Sequence, residues 1–197
     1  MKKHEEFFDK HAFSWDDGRS TKEIDRLKKI IKKLCIQKTE QILDMGCGTG
    51  ILLPILLKET GETGRITGLD ISSKMLKKAE KKFGTLFRYI HASAEDIPFN
   101  DFSFSRVICY SSFPHFTDKE NAMRELSRVL LCGGKLHIIH TSSRNEINSL
   151  HNNIGEPVKN DKIPSIEIMS KYFKKAGFTD IDIRDKKKYY LASGTKN

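Results

Sequence analysis

The sequence predicts an α/β fold, a mainly parallel sheet with helices on both faces. Three observations predict it. Short apolar runs alternate with longer segments of helical periodicity along most of the chain, the pattern of strand–helix–strand units. One of those runs, Ile42-Leu43-Asp44-Met45, passes directly into glycines at every second position, Gly46, Gly48 and Gly50. Glycine is needed where backbone turns sharply and lies close to a ligand. The chain of 197 residues, 38% hydrophobic and 31% charged, is also long enough for one domain with a full core.

The elements follow in order. Residues 4–16 precede the sheet and carry Phe7, Phe8, Phe13 and Trp15, too many aromatics for a solvated tail. Ser20-x-x-Glu23 reads as a capping box opening a helix with the apolar stripe Ile24, Leu27, Ile30-Ile31 and Leu34. The first strand is expected at 40–45. A helix is expected from about Thr49 to Lys58, with Pro54 early in it and a Gly61–Gly64 turn after it. The second strand runs from Arg65 to Leu69. Ser72 caps a helix whose stripe is Met75, Leu76, Ala79 and Phe83 and which ends at Gly84. Leu86 to His91 and Ser105 to Tyr110 read as the third and fourth strands. Thr117-x-x-Glu120 reads as a capping box for a helix burying Met123, Leu126, Val129 and Leu130, closed by Cys132-Gly133-Gly134. Lys135 to Ile139 is the fifth strand. Ser143-x-x-Glu146 caps a helix to about Asn153, and a further helix runs from about Ser165 to Gly177 after a loop with Gly155, Pro157 and Pro164. Two last strands, about 179–184 and 187–193, form a hairpin at an antiparallel edge. The expected organisation is an arm and lid helix over 1–35 and a ligand-binding domain over 36–197, within a single domain.

The spacing of the glycines narrows the ligand. The dinucleotide fingerprint G-x-G-x-x-G would need glycine at Ile51 or Leu53, and neither is glycine. The sequence instead reads D-x-G-x-G-x-G from Asp44 to Gly50, with the acid ahead of the glycines. This resembles the first motif of the class I S-adenosylmethionine (SAM) methyltransferases. The resemblance implies a Rossmann-like sheet of seven strands, with SAM as cofactor and S-adenosylhomocysteine as product. It also implies that Asp44, Gly46, Cys47, Gly48 and Gly50 hold the amino-acid end of SAM. Asp70 ends the second strand, where an acid bonds the ribose hydroxyls, and Ile71 follows it. Ser93, Ala94 and Glu95, after the third strand, resemble the family's third motif, which borders the adenine. The arm pattern F-D-x-x-A-x-x-W-D, Phe8 to Asp16, looks like that of small-molecule methyltransferases of the ubiquinone and menaquinone type, whose arm folds over the cofactor. The resemblance covers roughly residues 8–185 and is most specific between 42 and 139.

Ligands of such sheets sit beyond the carboxyl ends of the strands. Tyr110, after the fourth strand, is therefore a cofactor-side candidate. His115 follows the same strand and His140 ends the fifth; each is a candidate general base or hydrogen-bond partner of the acceptor. On the helix after the fifth strand, Ile147, Leu150 and Ile154 form one stripe expected to face the core. Arg144, Asn148 and His151 form a second stripe, spaced i, i+4, i+7. Together with Phe8 and Trp15 they are expected to line the acceptor pocket, where an arginine suits a carboxylate or phosphate. No metal site is expected.

Composition excludes several classes. No apolar run approaches a membrane span, and the charged start Met1-Lys2-Lys3-His4-Glu5-Glu6 lacks the apolar core of a signal peptide. The four cysteines are widely spaced with no C-x-x-C pair, which reads as reduced and cytoplasmic. No N/D-P-P-Y/F sequence follows the fourth strand, and Cys109 has no preceding proline. Both absences disfavour nucleic-acid base methylation and point to a small-molecule acceptor. The net charge of +9 falls largely on lysines at helical spacing, which reads first as solvated helix faces. RNA methylation and a SAM-binding regulatory domain without turnover stand as alternatives, and a monomer or homodimer is expected.

Overall fold

The computed structural model describes residues 2–61 and 65–197. Three residues of the expected Gly61–Gly64 turn lie outside that range. Among the described residues one sheet has seven strands in the order β3-β2-β1-β4-β5-β7-β6. They are β1 (Gln41–Met45), β2 (Arg65–Asp70), β3 (Arg88–His91), β4 (Phe104–Tyr110), β5 (Leu130–His140), β6 (Phe178–Lys186) and β7 (Tyr189–Lys196). The first five pair in parallel, and β7 lies antiparallel between β5 and β6. The order reverses between β1 and β4, which makes the ends of these two strands the switch point where ligands of open α/β sheets bind.

Helices α1 (Lys2–His11), α2 (Thr21–Lys32), α3 (Leu53–Thr60), α4 (Ser73–Phe83), α5 (Lys119–Val129), α6 (Arg144–Ile154) and α7 (Ile166–Lys175) surround the sheet. Period-two alternation divides the core between its faces. Ile42, Ile108 and Ile139 pack with Leu27, Ile30 and Ile31 of α2 and Leu53 and Leu56 of α3. Leu43, Met45, Val107 and Ile138 pack with Leu126 of α5 and Met169 and Phe173 of α7. Burial on both faces explains why the strands read as continuous apolar runs. At the end of the sheet away from the switch point, Glu40 grips Arg106 in a bidentate pair at 2.5 and 2.8 Å. Arg106 Nη1 lies 2.6 Å from His137 Nε2, and His137 Nδ1 lies 2.8 Å from the Ser193 hydroxyl. Burial and that neighbouring cation push the His137 pKa down to about 3.

Four local expectations change. The helix expected from Thr49 begins at Leu53, because Gly46, Gly48 and Gly50 all have positive φ (73°, 54° and 84°), which no α-helix accommodates. Pro54 then sits in the first turn, where its missing N–H has no helical partner to lose. The cap of α5 is Asp118, whose side chain accepts from Asn121 N–H, while Thr117 N–H donates to Glu95 Oε1 at 2.7 Å. Leu130 to Gly134 belong to β5 rather than to the end of that helix. The stripes of α6 are exchanged only in part: Ile147 packs against the core as expected. Leu150 and Ile154 are 54% and 50% exposed, while Asn148 and His151 turn inward onto the loop 155–165. That loop folds back on α6, and its backbone polar groups need partners that apolar side chains cannot supply.

Candidate active site

A cleft opens at the switch point, with about 880 Å³ of empty space including its open mouth. The turn after β1 forms its floor. Gly46 passes so close to the loop after β4 that a Cβ there would lie 2.3 Å from Ser112 Cβ. Gly48 N–H donates to Asp70 Oδ2 at 2.7 Å and Ser72 N–H to Asp70 Oδ1 at 2.8 Å. The end of β2 is thus tied to the glycine turn. Burial nevertheless dominates and pushes the Asp70 pKa up to about 6. Asp44 is more extreme. It is 1% exposed, neither carboxyl oxygen has a partner, and burial next to the Asp70 charge raises its pKa well above the usual carboxylate range.

The N-terminal arm forms the roof, and each residue of the F-D-x-x-A-x-x-W-D pattern has a contact that explains it. Phe8 is buried against the cleft and packs edge-on to Trp15 and His115, at 5.5 and 5.0 Å. Asp9 accepts from the Ser72 hydroxyl at 2.6 Å, Ala12 is buried in one cluster with Met75, and Trp15 borders the cleft over Gly48. Asp16 accepts from the Thr49 hydroxyl at 2.5 Å and from Lys82 at 2.6 Å; these bonds hold its pKa down despite burial. Lys78 of α4 donates to the carbonyls of Ala12 and Phe13. Part of the lysine excess therefore binds the arm down instead of facing water.

Of the residues singled out in the sequence, Phe8, Trp15, Asp44, Gly46, Cys47, Gly48, Asp70, Ile71, Ser93, Ala94, Glu95, Tyr110 and His115 border the cleft. Several have their polar atoms engaged by the protein. The Glu95 carboxylate accepts from Ser93 Oγ and from the N–H groups of Thr117 and Asp118, so it is a strut between two loops. The Tyr110 hydroxyl donates to Glu23 of α2 at 3.1 Å, and Cys47 Sγ packs where Gly68 has no side chain.

Five residues lie elsewhere. Gly50 faces α4, where a Cβ would lie 2.9 Å from the Phe83 ring; its lack of a side chain serves helix packing. Arg144 is drawn to Asp185 across the β6–β7 hairpin, with Nε 3.9 Å from Oδ2. The Asn148 amide clasps the Ile163 backbone, accepting at 2.8 Å and donating at 3.1 Å. His151 is buried against the Asp161 carbonyl. His140 is 1% exposed with neither ring nitrogen partnered, and burial takes its pKa to about 3. A strand-end position brought it to the right end of the sheet, but Tyr190 of β7 covers that end of β5.

Thr49, Ser111 and Ser112, within the strand-end segments Asp44 to Gly50 and Tyr110 to Phe116 expected to form the site, also border the cleft; sequence reasoning missed His4 and Arg19, which border it too. Arg19 has a buried Nε with no hydrogen-bond partner, 4.0 Å from Asp16, and Nη1 3.6 Å from Glu23. Ser111 takes φ +55°, uncommon for a non-glycine residue and frequent where strain is held at ligand sites. Nothing local marks His4 or Arg19 as a site residue.

A buried acid without a partner above a turn of three positive-φ glycines suits a cofactor that brings an ammonium group and hydroxyl donors. The central part of the chain is similar to the class I SAM-dependent methyltransferases, and the whole chain shares their fold. The family described as "Methyltransferase domain" matches residues 43–138. Among curated relatives, demethylmenaquinone methyltransferase of Staphylococcus aureus is 33% identical over 117 residues, 58% of this chain and 48% of the relative. The chain thus spans about half the length of the curated relatives it matches. Two solved structures share the fold. One is a chain of the complex between the Haloferax volcanii Trm112 methyltransferase activator and a methyltransferase (TM-score 0.78, 22% identity, 97% of this chain and 96% of that one). The other is a SAM-dependent methyltransferase of Aquifex aeolicus (TM-score 0.75, 21% identity, 95% and 98%).

Proposed function

We propose that this protein transfers a methyl group from SAM to a small-molecule acceptor. The observation that carries the reading is one cleft holding both parts of such a site. Unpartnered Asp44, the glycine turn and Asp70 lie on the floor, and His115 lies among the aromatics of the arm. Bound SAM supplies an already activated, electrophilic methyl group. Asp44 takes the cofactor's ammonium, Asp70 its ribose hydroxyls, and the backbone around Ser93 and Ala94 borders the adenine. Arg19, with its unsatisfied guanidinium nitrogen, takes the carboxylate, a charge-assisted bond. Phe8 and Trp15 exclude water and orient the acceptor; orientation can account for ~7–11 kcal/mol of a bimolecular barrier. Burial keeps His115 below the ordinary histidine pKa, so at neutral pH it is uncharged and able to take a proton. Residues 1–35 act as the arm that closes the site. The 33% identity to a quinone methyltransferase supports a small acceptor.

The reading is tested by calorimetry with S-adenosylhomocysteine, followed by an acceptor screen with methyl-labelled SAM. Binding of NAD or NADP in place of both SAM compounds would refute it. The +9 charge supports RNA as a second acceptor class. RNA affinity would then fall steeply with salt, and no measurable binding at low salt removes it.

A further inference from the structure

The loop between α6 and α7 sends one carboxylate back across the fold to the cleft. Asp161 Oδ2 lies 2.7 Å from His115 Nδ1, a residue 46 positions earlier. The same carboxylate lies 2.9 and 3.1 Å from Nε2 of His4, on α1. All three side chains are mostly buried, between 12% and 15% exposed. The Asp161 main-chain carbonyl binds His151, whose ring lies 4.8 Å from that of His115. Lys119 of α5 holds the turn on the other side, donating to the carbonyls of Pro114 and Phe116 at 2.8 and 2.9 Å. Among the described residues no group of three or more His, Cys, Asp or Glu is arranged to hold a metal ion, so this cluster is not read as a metal centre.

We infer that Asp161 is the positioning residue of the transfer step: it fixes His115 in the Nδ1–H tautomer, with the Nε2 lone pair turned to the cleft, and His4 of the arm shares its charge. A ring nitrogen that donates to a carboxylate commits the other nitrogen to accepting. Asp161 is held down at about 2 by its two histidine partners and stays ionised at working pH. The groups acting on His115 are Asp161, which favours its protonation, and His4, His151 and burial, which oppose it. In the step itself the acceptor atom bonds to the methyl carbon, and its proton passes to His115 Nε2. The electron pair of the broken carbon–sulfur bond stays on sulfur. The resulting imidazolium faces the Asp161 carboxylate. The arm thus contributes to the base as well as to the roof, through one bond from His4.

The inference rests on the methyltransferase reading for its purpose, but its test does not need the acceptor. Long-range 1H–15N correlation spectra of uniformly 15N-labelled full-length protein report the tautomer and titration of each histidine. His115 is assigned by its loss in His115→Gln. In the wild type we expect the Nδ1–H tautomer at neutral pH. In Asp161→Asn the midpoint of His115 falls by about one pH unit, a tenfold loss of proton affinity, and the tautomer preference is lost. In His4→Gln the tautomer stays and the midpoint rises, because the opposition of His4 to His115 protonation is gone. An Nε2–H tautomer in the wild type, or an unchanged His115 titration in folded Asp161→Asn, overturns the inference; a purely structural role for Asp161 would alter melting and leave the titration in place. An unchanged midpoint in His4→Gln refutes the His4 contribution. Calorimetry of the wild type with S-adenosylhomocysteine is independent: its failure would sink the cofactor reading without altering the tautomer.

Discussion

Replacing Asp44 by Asn separates stability from binding in opposite directions. Asp44 is 1% exposed, both its oxygens lack partners, and Asp70 adds a like charge nearby. An unsatisfied buried polar group costs ~1–3 kcal/mol, and more when charged. Asn keeps the shape and removes the charge, so the ligand-free protein gains on the order of 1–3 kcal/mol at neutral pH. For a domain of this size each kcal/mol moves the melting temperature by roughly 2–4 °C. The sign with pH follows from linkage. The folded-state pKa lies above the ordinary 3.8, so the folded protein binds more protons between the two values and loses stability as pH rises through that window. The variant lacks that loss, and its advantage grows from acidic to neutral pH. Its affinity for S-adenosylhomocysteine falls, because a charge-assisted bond worth ~1.5–3 kcal/mol is weakened, up to about 10- to 150-fold. Thermal melts at two pH values and calorimetry measure both arms. A ligand-free variant that melts below the wild type, or binds the product equally well, refutes the reasoning.

Asp70→Asn removes a carboxylate whose pKa is about 6 against 3.8 unfolded; wild-type stability therefore falls as pH rises between these values and the variant's does so less, as urea melts across that range would record. Wild-type affinity for S-adenosylhomocysteine should drop as pH is lowered through about 6, and calorimetry showing a flat profile would mean that Asp70 does not hold the ribose. Gly46→Ala meets Ser112 Cβ at 2.3 Å and sits at φ +73°, so unfolding titrations should show a loss of at least ~2 kcal/mol, with Ser112→Gly in the same chain recovering only the steric part. Arg19→Gln should weaken S-adenosylhomocysteine about 10- to 150-fold while sparing 5′-methylthioadenosine, which has no carboxylate; equal losses for both ligands would place Arg19 away from that group.

The sequence by itself determined the elements and the floor of the site, because both depend on local chemistry. Alternation of buried strands with amphipathic helices is visible one segment at a time, and it predicted the seven-stranded sheet with its antiparallel edge pair. The caps Ser20, Ser72 and Ser143 were legible because a cap satisfies N–H groups within its own turn. Asp44, Gly46, Gly48 and Asp70 were legible because strand ends converge at one side of a parallel sheet. Only the tertiary structure decided which residues close the site. The inward turn of Asn148 and His151 depends on where the 155–165 loop packs, and no periodicity on α6 contains that information. His140 obeyed the strand-end rule and was still excluded, because Tyr190 arrives from a strand 50 residues later. Asp161 lies in an irregular segment with no motif around it, and Arg19 lies in the short link between the arm pattern and the Ser20 capping box. Asp161 reaches the cleft through bonds to His115 and His4 that form only when distant parts of the chain meet, whereas Arg19 is held by its near neighbours Asp16 and Glu23 and comes to the cleft only because the arm packs over it. Local chemistry is written in neighbouring residues, whereas the pairing of polar groups across the fold is settled by packing.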